Sequence, residues 1–170
     1  MIETYKLKRP EYKWEIYIPY YEQGELVTYT LRHIGNNSIR YNTLSKDSCV
    51  YTSQETLFGF DQANRSGYNL YVVEGTFDCM KIGTFGLEYG TSAVALSGKN
   101  ITDRQLRLLK DLSSHYEKTY LTLDQDTEIE QLHILSKMMK YMDVQIKRLP
   151  AGIKDPGEFT YRQFKEWGKN

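Results

Sequence analysis

Acidic residues come directly after apolar segments that have the length and composition of buried strands. Glu74 follows residues 70–73, and the pair Asp124 and Asp126 follows residues 120–123. In an open parallel sheet the carboxyl ends of the strands form the edge where ligands bind, so these carboxylates are expected to converge. Converging carboxylates repel one another unless a cation lies between them. The sequence therefore predicts a Mg²⁺ or Mn²⁺ site with oxygen ligands, and two metals are expected there.

The spacing of the acids strengthens this prediction. Asp124 and Asp126 are separated by one residue, so an extended backbone points both side chains the same way. Asp78 lies one helical turn from Glu74, and Asp155 follows the last predicted strand. Each acid also has an ordinary structural explanation, as a helix cap, a partner of a helix dipole or a turn residue. Their joint occurrence at successive strand ends favours the metal site.

The composition is that of an ordinary globular protein. The 170 residues are 40% apolar and 26% charged, with a formal net charge of zero. No apolar run approaches the roughly 18 residues of a membrane helix. The first residues lack the apolar core of a secretory signal, so a cytoplasmic location without membrane attachment is expected. Net neutrality weakens, without excluding, non-specific binding to nucleic acid.

Cysteine and histidine offer no zinc site. Cys49 and Cys79 form no CxxC pair, and His33, His115 and His133 show no ligand spacing with them. Both cysteines are expected to be reduced and structural. The 15 tyrosines leave two explanations open, because tyrosine stacks on nucleobases and also packs half-buried strands.

Residues 1–68 are predicted to form a small β-rich subdomain. Three strands are expected, at 14–18, where Pro19 interrupts the strand, at 26–31 and at 40–43. A hairpin loop at 20–25 and a turn at 35–37 connect them. A helix at 53–65 follows, capped by Ser53, with Leu57, Phe58 and Phe60 facing inward.

Residues 69–170 alternate between strand and helix patterns. The predicted strands are 70–73, 92–96, 119–123 and 144–149. Four helices are predicted. The first spans 77–85 and the last spans 159–167. The second begins with a capping box at 102–105 and has Leu106, Leu109 and Leu112 on one face, and the third packs on the sheet through Leu132, Leu135, Met139 and Met142. This order predicts an α/β fold, with a mostly parallel sheet flanked by helices.

Three segments together resemble the TOPRIM domain, which bacterial-type primases, topoisomerases and several nucleases share. They are residues 71–78, 121–126 and 154–156, and the resemblance covers about residues 69–160. The closing Asp-Pro with Phe159 after it is most similar to the primase branch. Residues 18–21, 30–32, 40–42 and 57–63 likewise resemble the basic subdomain that precedes TOPRIM in the catalytic core of bacterial and phage-type primases.

The resemblance implies a compact nucleotidyltransferase that makes short RNA or DNA primers on single-stranded DNA by metal-dependent phosphoryl transfer. It implies catalytic and metal-binding roles for Glu74, Asp124 and Asp126, with Asp78 and Asp155 as further metal ligands. The basic residues expected to contact nucleic acid or nucleotide are Arg32, Arg40, Lys99 and Lys154.

The expected partners are a single-stranded DNA template and nucleoside triphosphates, together with a separate zinc-module or helicase protein. The small size favours a phage or plasmid source. Two other functions remain open, a metal-dependent TOPRIM nuclease and a non-catalytic subunit that binds nucleic acid or replication proteins. Topoisomerase activity is disfavoured, because no tyrosine can be singled out as a covalent nucleophile.

Overall fold

The computed structural model describes residues 15–34, 41–124 and 127–168. The turn predicted at 35–37, the base Arg40 and the acid Asp126 lie outside these described residues.

The N-terminal part forms a three-stranded antiparallel sheet. Its strands are β1 (Glu15–Glu22), β2 (Glu25–His33) and β3 (Tyr41–Thr43), in the order β1-β2-β3. Gln23 and Gly24 both have positive φ, at 53° and 85°, as a two-residue hairpin turn requires.

The prediction that Pro19 interrupts the first strand, and with it the six-residue loop at 20–25, is wrong. Pro19 lies inside β1 opposite Tyr29. β1 is at the edge of its sheet, where a proline that cannot donate a backbone hydrogen bond is tolerated.

The helix predicted at 53–65 is also too long. Helix α1 comprises only Phe60–Ala63, and it begins after Gly59, whose φ is 83°. Before it, Phe58 pairs with Ala95 through two backbone hydrogen bonds of 3.1 and 2.9 Å, which hold the chain extended. Ser53 therefore caps no helix. The inward-facing residues Leu57, Phe58 and Phe60 are buried as predicted.

The C-terminal part is a four-stranded parallel sheet in the order β5-β4-β6-β7, which confirms the predicted fold class. Its strands are β4 (Gly67–Val73), β5 (Thr91–Ala95), β6 (Tyr116–Leu121) and β7 (Gln145–Ile146). The helices are α2 (Thr76–Gly86), α3 (Asp103–Ser113), α4 (Glu128–Met138) and α5 (Tyr161–Gly168). The strand predicted at 144–149 is too long, since β7 comprises only Gln145–Ile146, although Lys147 still donates its backbone N–H to the Leu121 carbonyl oxygen at 3.0 Å.

Two helices illustrate a correct and an incorrect reading of the pattern. The capping box of α3 is present, since Gln105 donates its backbone N–H to Thr102 Oγ1 at 3.2 Å and Thr102 donates to Gln105 Oε1 at 3.1 Å. Helix α4, by contrast, packs through Ile134 and Met138.

Two residues of the face predicted for α4 point outward instead: Leu132 is 60% exposed and Met139 is 63% exposed. Leu135 and Met142, the other two, are partly buried against the core. Apolar residues lie on two sides of this helix, so its periodicity alone does not select the buried side.

The parallel sheet is covered on both faces. Helices α3 and α4 pack on one face, whereas α2, α5 and the N-terminal sheet pack on the other. Ile18 and Tyr20 of β1 lie in the same apolar cluster as Tyr71 and Val73 of β4, so the two sheets share a core. The domain boundary between residues 68 and 69 stays a prediction.

Cys49 and Cys79 form no disulfide, and the buried Cys79 donates to the Ala93 carbonyl oxygen at 3.1 Å.

Within the described ranges, no helix combines the length and the apolar character needed to cross a bilayer.

Candidate functional site

The carboxyl end of β4 places two acids on a tight connection. Glu74 follows the strand directly, Gly75 is the N-cap of α2, and Asp78 lies in the first turn of that helix. A Cβ atom at position 75 would lie 2.4 Å from Asp78 Oδ2. The glycine is therefore required for the Asp78 carboxylate to pack directly against the backbone.

Asp78 is an unusual carboxylic acid in this environment. It is only 8% exposed, and its Oδ1 accepts a hydrogen bond of 2.8 Å from the backbone N–H of Gly157. Burial first, and then the charges of Asp155 and Asp124, raise the pKa of Asp78 to about 7, against the opposing hydrogen bonds from Gly157 and Gly75. A carboxyl group that is poised near neutral pH and surrounded by like charge is typical of a functional site.

Asp155 converges on the same point from the end of the chain. It precedes a short 3₁₀ turn (Pro156–Glu158). A Cβ atom at Gly157 would lie 2.9 Å from Asp155 Oδ1 and 3.0 Å from Asp78 Oδ1. Both carboxylates therefore gather around the backbone of Gly157.

Asp124 reaches the cluster from the loop after β6. Its Oδ1 atom is buried. Its carbonyl oxygen accepts hydrogen bonds from the backbone N–H and the hydroxyl of Thr127, at 3.2 and 2.8 Å. These hydrogen bonds connect Asp124 to the residue that precedes α4.

The structure thus brings three of the five predicted acids into electrostatic contact, namely Asp78, Asp124 and Asp155. Glu74 lies beside them in the wall of a pocket. Among the residues that the structure describes, no three acid, histidine or cysteine side chains stand close enough to form a preassembled metal-ligand group. The role of Asp126 stays a prediction, since it is outside the described ranges.

The pocket beside Glu74 has a volume of about 270 Å³ and lies between the two sheets. Hydroxyl groups are prominent in its wall. They belong to Tyr20, Thr30, Tyr41, Thr43, Ser53, Thr76 and Ser97.

Two hydroxyls of this wall hold each other in place. Tyr20 and Ser97 form a hydrogen bond of 2.9 Å, and burial raises the pKa of Tyr20 to about 12, so it stays a hydrogen-bond donor. The Thr76 hydroxyl is buried and has no hydrogen-bond partner among the described residues. A polar group left in this way favours a polar ligand.

The predicted bases occupy different positions. The Arg32 guanidinium carbon lies 4.6 Å from the ring centroid of Tyr41 and 5.5 Å from that of Phe77, which places this cation at the pocket rim. Lys99 is exposed beside Gly98, a residue that lines the pocket. Lys154 is exposed next to Asp155, and its backbone N–H donates to Glu158 Oε2 at 2.8 Å.

Ser97 and Tyr20 are pocket residues that the sequence analysis missed. Ser97 has a φ of 58°, which is uncommon for a residue other than glycine. Its signal was available, since Ser97 and Gly98 directly follow a predicted strand at the same edge as Glu74. The signal for Tyr20 was hidden, because its partner is 77 residues away.

The chemistry of the acidic cluster fits a hard divalent cation. All of its donors are carboxylate oxygens. The pKa of Asp78 is raised by burial first and by the charges of Asp155 and Asp124 second, and a bound cation would offset both. Mg²⁺ needs only one or two protein carboxylates when water and phosphate oxygens complete its shell.

Comparison with known proteins agrees with this architecture. A family model described as Toprim-like matches residues 71–160. The DNA primase of Mycoplasma genitalium is 29% identical over 124 residues, covering 72% of this chain and 20% of the relative. The DNA primase of Clostridium acetobutylicum is 27% identical over 151 residues, covering 85% of this chain and 24% of the relative. The chain therefore spans no more than a quarter of the length of these curated relatives.

A solved structure gives the same result in three dimensions. The crystal structure of Aquifex aeolicus primase, which contains zinc-binding and RNA polymerase domains, superimposes with a TM-score of 0.72 at 25% sequence identity. The match covers 99% of this chain and 44% of that one, so it includes the N-terminal sheet as well as the parallel sheet. The strand order, the acids at the carboxyl edge and a family match over more than half of the residues establish that this chain belongs to the Toprim-like family.

Proposed function

We propose that the chain is a compact primase-like nucleotidyltransferase that makes short RNA or DNA primers on single-stranded DNA. The observation that carries this proposal is the acidic cluster of Asp78, Asp124 and Asp155 beside a hydroxyl-lined pocket, at the carboxyl edge of a Toprim-like sheet. Both curated relatives are DNA primases, and the matched structure is a primase with an RNA polymerase domain.

The pocket has the properties expected of a nucleotide site. In primer synthesis the 3′-hydroxyl oxygen of one nucleotide bonds to the α-phosphorus of the next, and pyrophosphate leaves. Thr76 and Ser97 provide hydroxyls that suit a sugar, and Arg32 at the rim would neutralise phosphate. Lys99, Lys154 and Arg40 are proposed as further contacts to the nucleotide or the template.

Glu74, Asp124 and Asp126 are proposed as the catalytic acids, with Asp78 and Asp155 in support. They would hold Mg²⁺ or Mn²⁺, which activates a hydroxyl nucleophile and neutralises the charge of the triphosphate when bound. Gly75 and Gly157 serve this arrangement indirectly, because each lets carboxylate oxygens approach the backbone. We expect a separate zinc-module or helicase protein to assist template selection.

One gel tests the proposal. Single-stranded DNA, in labelled and unlabelled form, is incubated with labelled ribonucleotides or deoxyribonucleotides and Mg²⁺ or Mn²⁺. We expect new labelled oligonucleotides from the wild type and none from Asp124→Asn, while Asp111→Asn on the exposed side of α3 keeps activity. Asp124→Asn keeps the size and shape of the side chain at position 124 but removes its charge.

The other products on the same gel have clear meanings. Shortened template that depends on Asp124 would replace the primase proposal with a nuclease. If the folded protein binds single-stranded DNA but yields neither product, catalysis by this chain is contradicted. The chain would then be a subunit that only binds nucleic acid.

A further inference from the structure

A second groove lies apart from the pocket described above, beside the edge strand β7. It has a volume of about 490 Å³ and lies between the segment that follows β7 and helix α5. One side carries cations and the floor is mainly apolar. The lining residues used below are Lys147, Arg148, Pro150, Ile153, Glu166 and Trp167.

Lys147 is held in an unusual environment for a lysine. Its ammonium nitrogen lies 5.4 Å from the ring centroid of Tyr120 and 5.5 Å from that of Trp167. Burial lowers the pKa of Lys147, and the nearby charge of Lys118 lowers it further. The charged ammonium is therefore partly stripped of water and repelled by a second cation, so a bound anion would stabilise it.

Protein carboxylates do not supply that anion within the described ranges. No acidic side chain there lies within 4.0 Å of the charged groups of Lys118, Lys147 or Arg148. Glu166 also lines the groove, but its carboxylate forms an ion pair with Arg162 at 3.1 Å. The groove therefore keeps a cationic side that faces solvent.

The aromatic floor fixes the position of these cations. Trp167 packs against Tyr71 and Phe159 in tilted arrangements, with both ring centroids at 5.0 Å, and its Nε1–H donates to the Arg148 carbonyl oxygen at 2.8 Å. This hydrogen bond ties the backbone of the basic segment to α5. The backbone that carries the cations is therefore held against the packed aromatic core.

The segment that lines the groove leaves the sheet at the edge that carries the acids. Parallel strands share one carboxyl edge, so the residues after β7 emerge at the same edge as the loop that carries Asp124. Along the chain, the segment from Lys147 through Ile153 is followed closely by Asp155. The topology therefore places the basic segment and the acids at a common edge of the sheet.

We propose that this groove, with Lys147 and Arg148 on its cationic side and Pro150 and Ile153 in its floor, binds single-stranded nucleic acid and guides it to or from the acidic edge. Cations matched to phosphate and an apolar surface for sugars and bases are the two features that strand-binding channels combine. The role of the strand as template or product rests on the proposed function, whereas the binding itself does not.

The test compares two variants with the same loss of charge. Lys147→Gln/Arg148→Gln removes the cations of the groove, and Arg107→Gln/Lys110→Gln removes one arginine and one lysine from exposed positions of α3 on the other face of the sheet. Binding of fluorescent oligothymidylate is followed by anisotropy over a range of salt concentrations.

We expect the groove variant to lose affinity by about tenfold or more at low salt and its log–log salt slope to fall by roughly 1.4, for two phosphate contacts to a single strand. We expect the α3 variant to behave like the wild type. In a Trp14→Phe background, the emission of Trp167 should change on binding, since its ring lies beside Lys147. Lys147→Arg/Arg148→Lys keeps the charges and should keep the binding.

Three results would overturn the assignment. One is equal affinity of the groove variant and the wild type; another is an equal loss in the α3 variant. The third is an acidic peptide that binds as tightly as the oligonucleotide with the same dependence on Lys147, which would make the groove a protein-binding surface.

Asp124→Asn separates this inference from the proposed function. We expect it to bind oligothymidylate as the wild type does while making no primers. If the wild type makes no primers but its binding still depends on the groove, only the catalytic proposal is contradicted.

Discussion

Two groups of partly buried carboxylates have opposite electrostatic surroundings. Glu22 accepts two hydrogen bonds from Arg104, at 2.7 and 2.6 Å, and these side chains are only 11% and 21% exposed. Asp78 instead shares its surroundings with Asp124 and Asp155. The first group joins β1 to α3, whereas the second raises a pKa and weakens the folded state.

The difference separates structural from functional acids. A matched arginine makes a buried carboxylate part of the scaffold, because its planar fork satisfies both oxygens. Arg104 goes further, since it also donates to the Glu55 carbonyl oxygen at 2.9 Å and stacks 3.4 Å from the ring centroid of Tyr51. No lysine or arginine in the described part of the chain forms an ion pair with Asp78, as expected for a site that recruits a cation from outside the chain.

The largest effect is expected from breaking the matched pair. Arg104→Gln should lower the free energy of unfolding by about 3 kcal/mol, because it leaves the Glu22 carboxylate half-buried without its partner. Urea unfolding measures the change. Arg104→Lys should recover only part of it, since an ammonium cannot reproduce the fork. Arg162→Gln is the control, because its pair with Glu166 is exposed; an equal loss there would contradict the comparison.

Removing the charge of Asp78 should change the stability in the opposite direction. Because the pKa of Asp78 is about 7 in the folded state and 3.8 ordinarily, rising pH ionises the unfolded chain first. The wild type should therefore lose stability between about pH 4 and pH 7 and level off above. Asp78→Asn should gain about 2 kcal/mol at pH 8, because the amide has no charge that must be buried.

Urea unfolding of both proteins at pH 4 and pH 8 measures this gain. Asp111→Asn, on the exposed side of α3, should change little at either pH. A gain of the same size at both values would show that the effect does not arise from ionisation of Asp78.

A cation should reduce the contrast between the two groups. Millimolar Mg²⁺ should raise the melting temperature of the wild type by a few degrees, corresponding to about 1 kcal/mol. Asp124→Asn should lose this shift, as should Gly75→Ala, whose Cβ would displace the Asp78 carboxylate. Gly168→Ala, where nothing lies within 4 Å, should keep it. A wild type that does not respond to metal would leave the cluster without its proposed role.

The smallest effect is expected where a pair exists without burial. Lys46 lies 3.8 Å from Glu55, but the lysine side chain is 82% exposed. Lys46→Gln should change the unfolding free energy by less than about 0.5 kcal/mol. If this loss approached that of Arg104→Gln, pairing and not burial would determine the cost.

The sequence allowed the parallel sheet and the acidic edge to be predicted, because both depend on local patterns. Short apolar runs mark β4 and β5, and the acids that follow the strands reveal the shared edge. Features that depend on distant partners were missed. Glu22 and Arg104 are separated by 82 positions, and the pairing of Phe58 with Ala95 delayed the start of the expected helix to Phe60. The wrong face of α4 has another cause, since that helix carries apolar residues on two sides.

The shared core of the two sheets has a consequence for synthesis of the chain. Ile18 and Tyr20 leave the ribosome early, yet they pack against Tyr71, Val73 and Ala95. At roughly 5–20 residues per second, these side chains wait on the order of 3–15 seconds for their partners. During that time the apolar side chains of the first hairpin are exposed to solvent. Nascent chains stalled before β5 should therefore bind holdase chaperones, and chains released with all seven strands should not.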